Sequence, residues 1–175
     1  MGDMYAVLCE GNAEQAIMNV LLDADVLFFS RSEMLDEEVM KVRSAKSFER
    51  RYLNKAMPNK ITVYRILDSS SENFKISKAN RHKIDVVNVL TKPEIEMLII
   101  VSEGLFDDYK RKKSSYGKPS EYVKSILGYK NVKSSAFVYD YFRNHKKLIH
   151  ALHEYRRLSK ISNDDQTVAD LLKEK

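Results

Sequence analysis

Two carboxylates that end apolar, strand-like runs are the residues of this chain best suited to chemistry. Tyr5-Ala-Val-Leu-Cys-Glu10-Gly11 stops at an acid, turns at a glycine and leads into a helical pattern. Ile61-Thr-Val-Tyr-Arg-Ile-Leu-Asp68 has the same form and is followed by Ser69, Ser70 and Ser71. Open α/β sheets bind ligands outside the carboxyl ends of their strands, so both acids are expected at a ligand-binding edge. Mg²⁺ and Mn²⁺ prefer hard oxygen donors, which makes a divalent cation the expected cofactor. Glu14 lies one helical turn beyond Glu10 and could face the same cleft; its alternative is an acid on the helix surface. Gly11 would allow a phosphate to approach the backbone closely, or simply make a tight turn. A third segment, Val86-Val-Asn-Val-Leu-Thr91, is followed by Lys92-Pro93-Glu94-Ile95-Glu96. Proline suits a first helical turn, and acids are stabilised there, so Glu96 is read either as a helix-start acid or as a further ligand.

The elements that must position these acids follow from periodicity. Ala13, Ile17, Val20, Leu21 and Ala24 recur at helical spacing, and Asn12 could cap that helix. Residues 26–30 form a short apolar strand candidate. Residues 32–42 return to a helical pattern. Ser47 could cap another helix through Phe48, Tyr52, Leu53 and Met57, with Pro58 as its stop. The chain from 69 to 83 is polar and reads as a loop. A helix from Pro93 ends at Gly104. Beyond Pro119, Tyr122, Val123, Ile126 and Leu127 form a stripe that ends near Gly128. Residues 136–142 and 147–158 read as two more helices, with Val168, Leu171 and Leu172 in a short last one. The order β-α-β-α-β-loop-β-α predicts an α/β fold: a mainly parallel sheet flanked by helices, with a helical C-terminal elaboration. We expect one domain over residues 1–175, its core at about 4–130 and its C-terminal helices at about 131–175.

In this order and spacing, the Glu10-Gly11 turn, the strand ending in Asp68 and the Pro93-Glu94-Ile95-Glu96 segment resemble the Toprim domain. That domain is shared by topoisomerases, primases and several nucleases, and the third segment is similar to its RloB-like, phage-defence-associated branch. The resemblance implies a Toprim-like fold over roughly residues 4–130 and a metal-dependent nuclease acting on DNA or RNA. It also implies a prokaryotic defence setting with a partner ATPase, and a role for Glu96. Toprim proteins usually carry Asp-x-Asp at the second motif. Here the pattern is Asp68-Ser69-Ser70, so one acid is missing and Glu14, Glu72 or Glu96 must supply it if catalysis is retained.

Composition narrows the remaining classes. With 175 residues, 43% of them apolar and 31% charged, the chain has the balance of a globular protein and enough length for a core. No apolar run is long enough to span a bilayer, and the first residues lack the basic start of a secretory signal. The lone cysteine, Cys9, sits in a strand candidate and cannot form an intramolecular disulfide, so a reducing cytoplasm is expected. Buried cysteine acts as a small hydrophobe rather than a nucleophile. His145, His150 and His153 offer too few ligands for zinc. Neither a Walker loop nor Gly-x-Gly-x-x-Gly is present.

The net charge of +5 is concentrated in one segment. Residues 110–133 carry eight cations (Lys110, Arg111, Lys112, Lys113, Lys118, Lys124, Lys130 and Lys133) against Glu121 alone. Tyr109, Tyr116, Tyr122 and Tyr129 are interleaved with them. Cations neutralise phosphates, and tyrosine rings stack on unpaired bases. The competing expectation is a solvated basic loop whose tyrosines pack onto the core.

Together these features predict a hydrolase of phosphodiester bonds with Mg²⁺ or Mn²⁺ held by Glu10, Asp68, Glu14 and Glu96. Lys118 or Lys124 would contact the scissile phosphate, and Lys110, Arg111, Lys112, Lys113, Tyr122 and Lys130 would join them in gripping nucleic acid. Self-association is compatible with the sequence. The alternative is a catalytically degenerate module that binds nucleic acid or a partner protein. A third, weaker reading is nucleotidyl transfer of the primase kind.

Overall fold

The computed structural model describes residues 4–54, 59–67, 74–91, 94–158 and 165–173. Asp68, Met57, Pro58, Glu72 and Pro93 therefore lie outside the described residues. Four strands form one all-parallel sheet in the order β2-β1-β3-β4. They are β1 (Met4–Cys9), β2 (Met34–Met40), β3 (Ile61–Leu67) and β4 (Ile84–Leu90). Seven α-helices flank the sheet among the described residues: α1 (Asn12–Asp23), α2 (Ala45–Phe48), α3 (Ile95–Ser102), α4 (Phe106–Tyr116), α5 (Pro119–Tyr122), α6 (Ser135–Tyr141) and α7 (His145–Leu158). The predicted α/β class with a parallel sheet is thus observed. None of the described helices is long and apolar enough to cross a membrane.

Strand pleating divides the core into two layers. Val7 and Cys9 of β1 and Tyr64 and Ile66 of β3 point to one face, where α1, α3, α6 and α7 pack. Ala6, Leu8, Ile61 and Val63 point to the other, against Ala45, Phe48, Leu53 and Ile76. Right-handed crossovers explain this split. The chain moves outward from β1 to β2 through α1, then reverses across the sheet to β3, which puts α2 on the opposite face. Every residue of α3 from Ile95 to Val101 is buried. This helix has no solvent face because the sheet, α7 and α4 surround it.

The second strand is not where the sequence pattern places it. Periodicity predicts a helix over residues 32–42, yet Met34–Met40 pairs with β1, and residues 26–30 supply only an isolated bridge from Leu27 to Leu172. Met34, Leu35, Val39, Met40 and Val42 fit a helical stripe as well as a strand. The ambiguity lies in the polar middle, Asp36-Glu37-Glu38. Asp36 and Glu37 adopt φ of +57° and +52°, so the pairing register slips between Tyr5 and Val7 and the acids bulge outward from an edge strand. The Tyr52 hydroxyl then donates to Asp36 at 2.6 Å.

Four smaller differences concern the helices. Gly11, not Asn12, is the N-cap of α1, and Asn12 instead accepts a hydrogen bond from Lys41. Ser44, not Ser47, caps α2, accepting from the Ser47 amide at 3.1 Å. The basic segment, for which a loop is the competing expectation, is largely helical, forming α4 and then α5, which runs into a π-helical turn over Val123–Leu127. The expected last helix is a 3₁₀ turn, Val168–Leu171, strapped to β4 through the Leu90 amide and to residues 26–28 through the Phe28 amide.

Candidate functional site

Parallel-sheet topology fixes where a ligand can bind. The connection leaving β1 runs to β2 on one side, and that leaving β3 runs to β4 on the other. The switch point at which α/β folds hold ligands therefore lies beyond the carboxyl ends of β1 and β3. Glu10 directly follows β1 there. Asp68 follows β3 in the sequence but is outside the described residues.

Glu10 is about one-fifth exposed, open enough to meet a ligand. Behind it lies a cation that sequence reasoning did not single out. Arg65 of β3 is only 3% exposed, with its Nη2 3.9 Å from Glu10 Oε1. The Arg65 guanidinium also stands 4.7 Å from the centre of the Phe74 ring and donates to Asn88 at 3.4 Å. Arg43 reaches the Glu10 carbonyl at 3.4 Å. A signal for Arg65 was present in the sequence: a charged residue inside an apolar strand needs a buried partner.

Glu14 turns back toward Gly11. A Cβ on Gly11 would stand 2.2 Å from Glu14 Oε2, so the glycine leaves the space that the carboxylate fills. Gly11 has φ −114°, which any residue can adopt; the constraint is room, not backbone freedom. Both acids act on Cys9. Burial pushes its thiol well above the usual range, and the charges of Glu14 and then Glu10 push in the same direction, with Lys41 opposing. Cys9 is therefore a neutral core group, not a nucleophile.

Gly11→Ala provides a direct check on this packing. The added methyl should displace the Glu14 carboxylate, a flexible group, at a stability cost of about 0.5–1 kcal/mol, mainly from the poorer N-cap. If Glu14 is a ligand, cation-dependent activity should fall at least tenfold while the melting temperature barely moves. Activity that tracks stability alone would remove Glu14 from the site.

Glu96 occupies a different place. It is 1% exposed in the first turn of α3. Its Oε2 has no hydrogen-bond partner among the described residues, and its Oε1 lies 3.5 Å from the exposed Lys133 ammonium. Lys133 also lies 3.7 Å from Glu94. Lys133, rather than Lys118 or Lys124, is thus the member of the basic run that stands beside a candidate acid. Lys118 is the N-cap residue of α5, where its carbonyl accepts from the Glu121 amide at 3.2 Å.

Among the described residues no three His, Cys, Asp or Glu are grouped closely enough to hold a metal ion. A three-acid set around Glu10 and Glu14 would need an acid from outside the described residues, such as Asp68 or Glu72. The donor chemistry at the turn, carboxylate oxygens with room opened by Gly11, suits Mg²⁺ or Mn²⁺.

The basic segment presents two kinds of surface. Lys110, Arg111, Lys112, Lys113, Lys118, Lys124 and Lys130 are all exposed. The tyrosines pack inward. Tyr122 is fully buried and Tyr109 is 5% exposed, with Tyr116 and Tyr109 meeting the Tyr122 ring edge-on at 5.4 and 5.2 Å. The expectation that Tyr122 contacts nucleic acid is corrected: its ring belongs to the same core as Val123 and Val132, with Leu127 packed against it. Its hydroxyl donates to Asp108 at 2.6 Å, pinning α5 to α4.

That hydroxyl, followed by Lys112 and Arg111, holds the Asp108 carboxyl down to about 2. An aspartate in an unfolded chain titrates near ~3.9. Because the folded value is lower, the stabilisation is complete above the unfolded value and is lost as pH falls towards about 2. Asp108→Asn should therefore melt below wild type at pH 7, and the gap should close in acid. A gap unchanged between pH 7 and the acid limit would contradict this assignment.

The fold and site thus define an α/β protein with a parallel four-stranded sheet and acids at its switch point. No family model matches the chain, no curated protein matches it, and no solved structure does.

Proposed function

We propose that the chain is a Toprim-like, metal-dependent nuclease that hydrolyses phosphodiester bonds in nucleic acid, in the defence setting that its RloB-like resemblance implies. The observation that carries this reading is the turn Glu10-Gly11-Glu14 at the β1–β3 switch point. Glu10, Glu14 and Asp68 would hold Mg²⁺ or Mn²⁺, with Glu96 and Lys133 at the start of α3 assisting. When bound, such an ion lowers the cost of charge that builds up on the phosphoryl group. Around it, Glu10 would orient the ion, with the buried Arg65 guanidinium standing behind its carboxylate. The exposed cations of α4 and α5 hold the phosphate backbone.

A second reading, a binding module without catalysis, has its own support. Ser70 stands where the second aspartate of the motif would be, and the Arg65 guanidinium already supplies positive charge beside Glu10.

The deciding experiment incubates wild type and Asp68→Ala with plasmid, single-stranded DNA and total tRNA, in Mg²⁺, Mn²⁺ or EDTA. Cleavage by wild type that EDTA stops and Asp68→Ala lacks would establish the nuclease. Salt-sensitive binding in EDTA without cleavage in either cation would establish the binding module.

A further inference from the structure

The cationic face and the inward tyrosines together specify what form of nucleic acid this protein can hold. Tyr109 faces the core from α4. At about 100° per residue, Arg111 then points directly away from the core, with Lys110 and Lys112 flanking it on either side. Lys113 is exposed on the Lys110 flank one turn further on, Lys118 and Lys124 are exposed beyond it, and none of these three is ion-paired among the described residues. Asp108 offsets part of this charge through Arg111 at 3.2 Å and Lys112 at 2.9 Å.

No tyrosine or phenylalanine of this surface is fully exposed. Tyr116 and Tyr129 are half-buried, with Tyr129 packed 5.5 Å from Phe137 and 5.8 Å from Tyr141. Phe106 is half-buried beneath the Lys110 ammonium, 5.6 Å away. The exposed aromatic rings among the described residues are Phe28 and Tyr139, and both lie on other elements. Tyr139 is tied to Asp23 of α1 at 2.9 Å.

Proteins that hold single strands gain about 1–3 kcal/mol per base from stacking on aromatic rings. This face offers none of that energy and leaves only attraction to phosphate. Duplexes carry one charge per ~1.7 Å of axis, about twice the linear density of one strand, and release more counterions on binding. We propose that the α4–α5 face binds double-helical nucleic acid through its phosphates, with no base reading and without preference for sequence. The inference rests on the nucleic-acid reading above and names the form of its substrate.

The test is anisotropy of a labelled 20-base-pair DNA duplex, the matching RNA duplex and each single strand, in EDTA, from 50 to 200 mM KCl. The duplex should bind at least tenfold tighter than its strands, and scrambled sequences should bind equally. Lys110→Gln/Lys113→Gln, neighbours at i and i+3 that are not ion-paired among the described residues, should lower the salt slope by about 2, one for each phosphate no longer neutralised, at an unchanged melting temperature. Single strands that bind as tightly as the duplex, a variant with the wild-type slope, or no binding to any probe would each overturn the proposal. Comparing the DNA and RNA duplexes identifies the preferred helix. Because EDTA blocks cleavage, a failed nuclease assay with intact duplex preference would sink the catalytic reading and leave this one standing.

Discussion

Glu10→Gln is expected to fold normally and to lose at least a hundredfold in cation-dependent cleavage, about 2.7 kcal/mol of transition-state stabilisation. The substitution keeps the shape of the side chain and removes its charge at the carboxyl end of β1. A neutral amide binds a hard divalent ion far more weakly than a carboxylate. Folding should suffer little, because Glu10 is partly exposed and Arg65 retains Asn88 and the Phe74 ring. Single-turnover cleavage in Mn²⁺, set beside a thermal melt, separates the two effects. Equal rates for wild type and variant would remove Glu10 from the reaction.

Arg65→Met should have the largest effect on stability, a loss of about 3 kcal/mol. In a domain whose whole stability is about 5–15 kcal/mol, urea unfolding would report this as a clear shift of midpoint. Methionine preserves most of the stem but removes the planar group that faces Phe74 and Asn88 and lies 3.9 Å from Glu10. The Glu10 carboxylate would then lose the buried cation that stands 3.9 Å from it. Arg65→Lys keeps the charge and loses the planar fork, so it should recover part of the loss. Adding Glu10→Gln to Arg65→Met should cost less than the sum of the two, since the pair fails together. Strict additivity would mean that the two groups are not coupled.

The segments that local pattern places well share one property: both ends are marked in the sequence. β1 is an apolar run closed by Glu10-Gly11, and α1 carries Ala13, Ile17, Val20 and Leu21 on one face. β3 and β4 are apolar runs of strand length, and α3 ends where Gly104 adopts φ +70°. The expected depth of Cys9 and the tyrosine-packed alternative for the basic segment were also legible. Missing were β2, Arg65 and the Lys133–Glu96 pair. Met34–Met40 interrupts its apolar ends with three acids, so its pattern fits two periods. Only pairing with β1, and the bulge that this pairing imposes, selects the strand.

The sequence by itself determined that an apolar strand delivers Glu10 to one edge of an α/β sheet and that positive charge gathers in one later segment. Those are properties of neighbouring residues, set by period, turn residues and composition. Tertiary structure alone decided which side chains share a site. It buried Arg65 beneath Glu10, folded Glu14 over Gly11, turned Tyr122 into the core and brought Lys133 to Glu96. The Arg65–Glu10 and Lys133–Glu96 contacts join residues far apart in the chain. They depend on the sheet order β2-β1-β3-β4 and on α3 being enclosed on every side, and no local pattern encodes either.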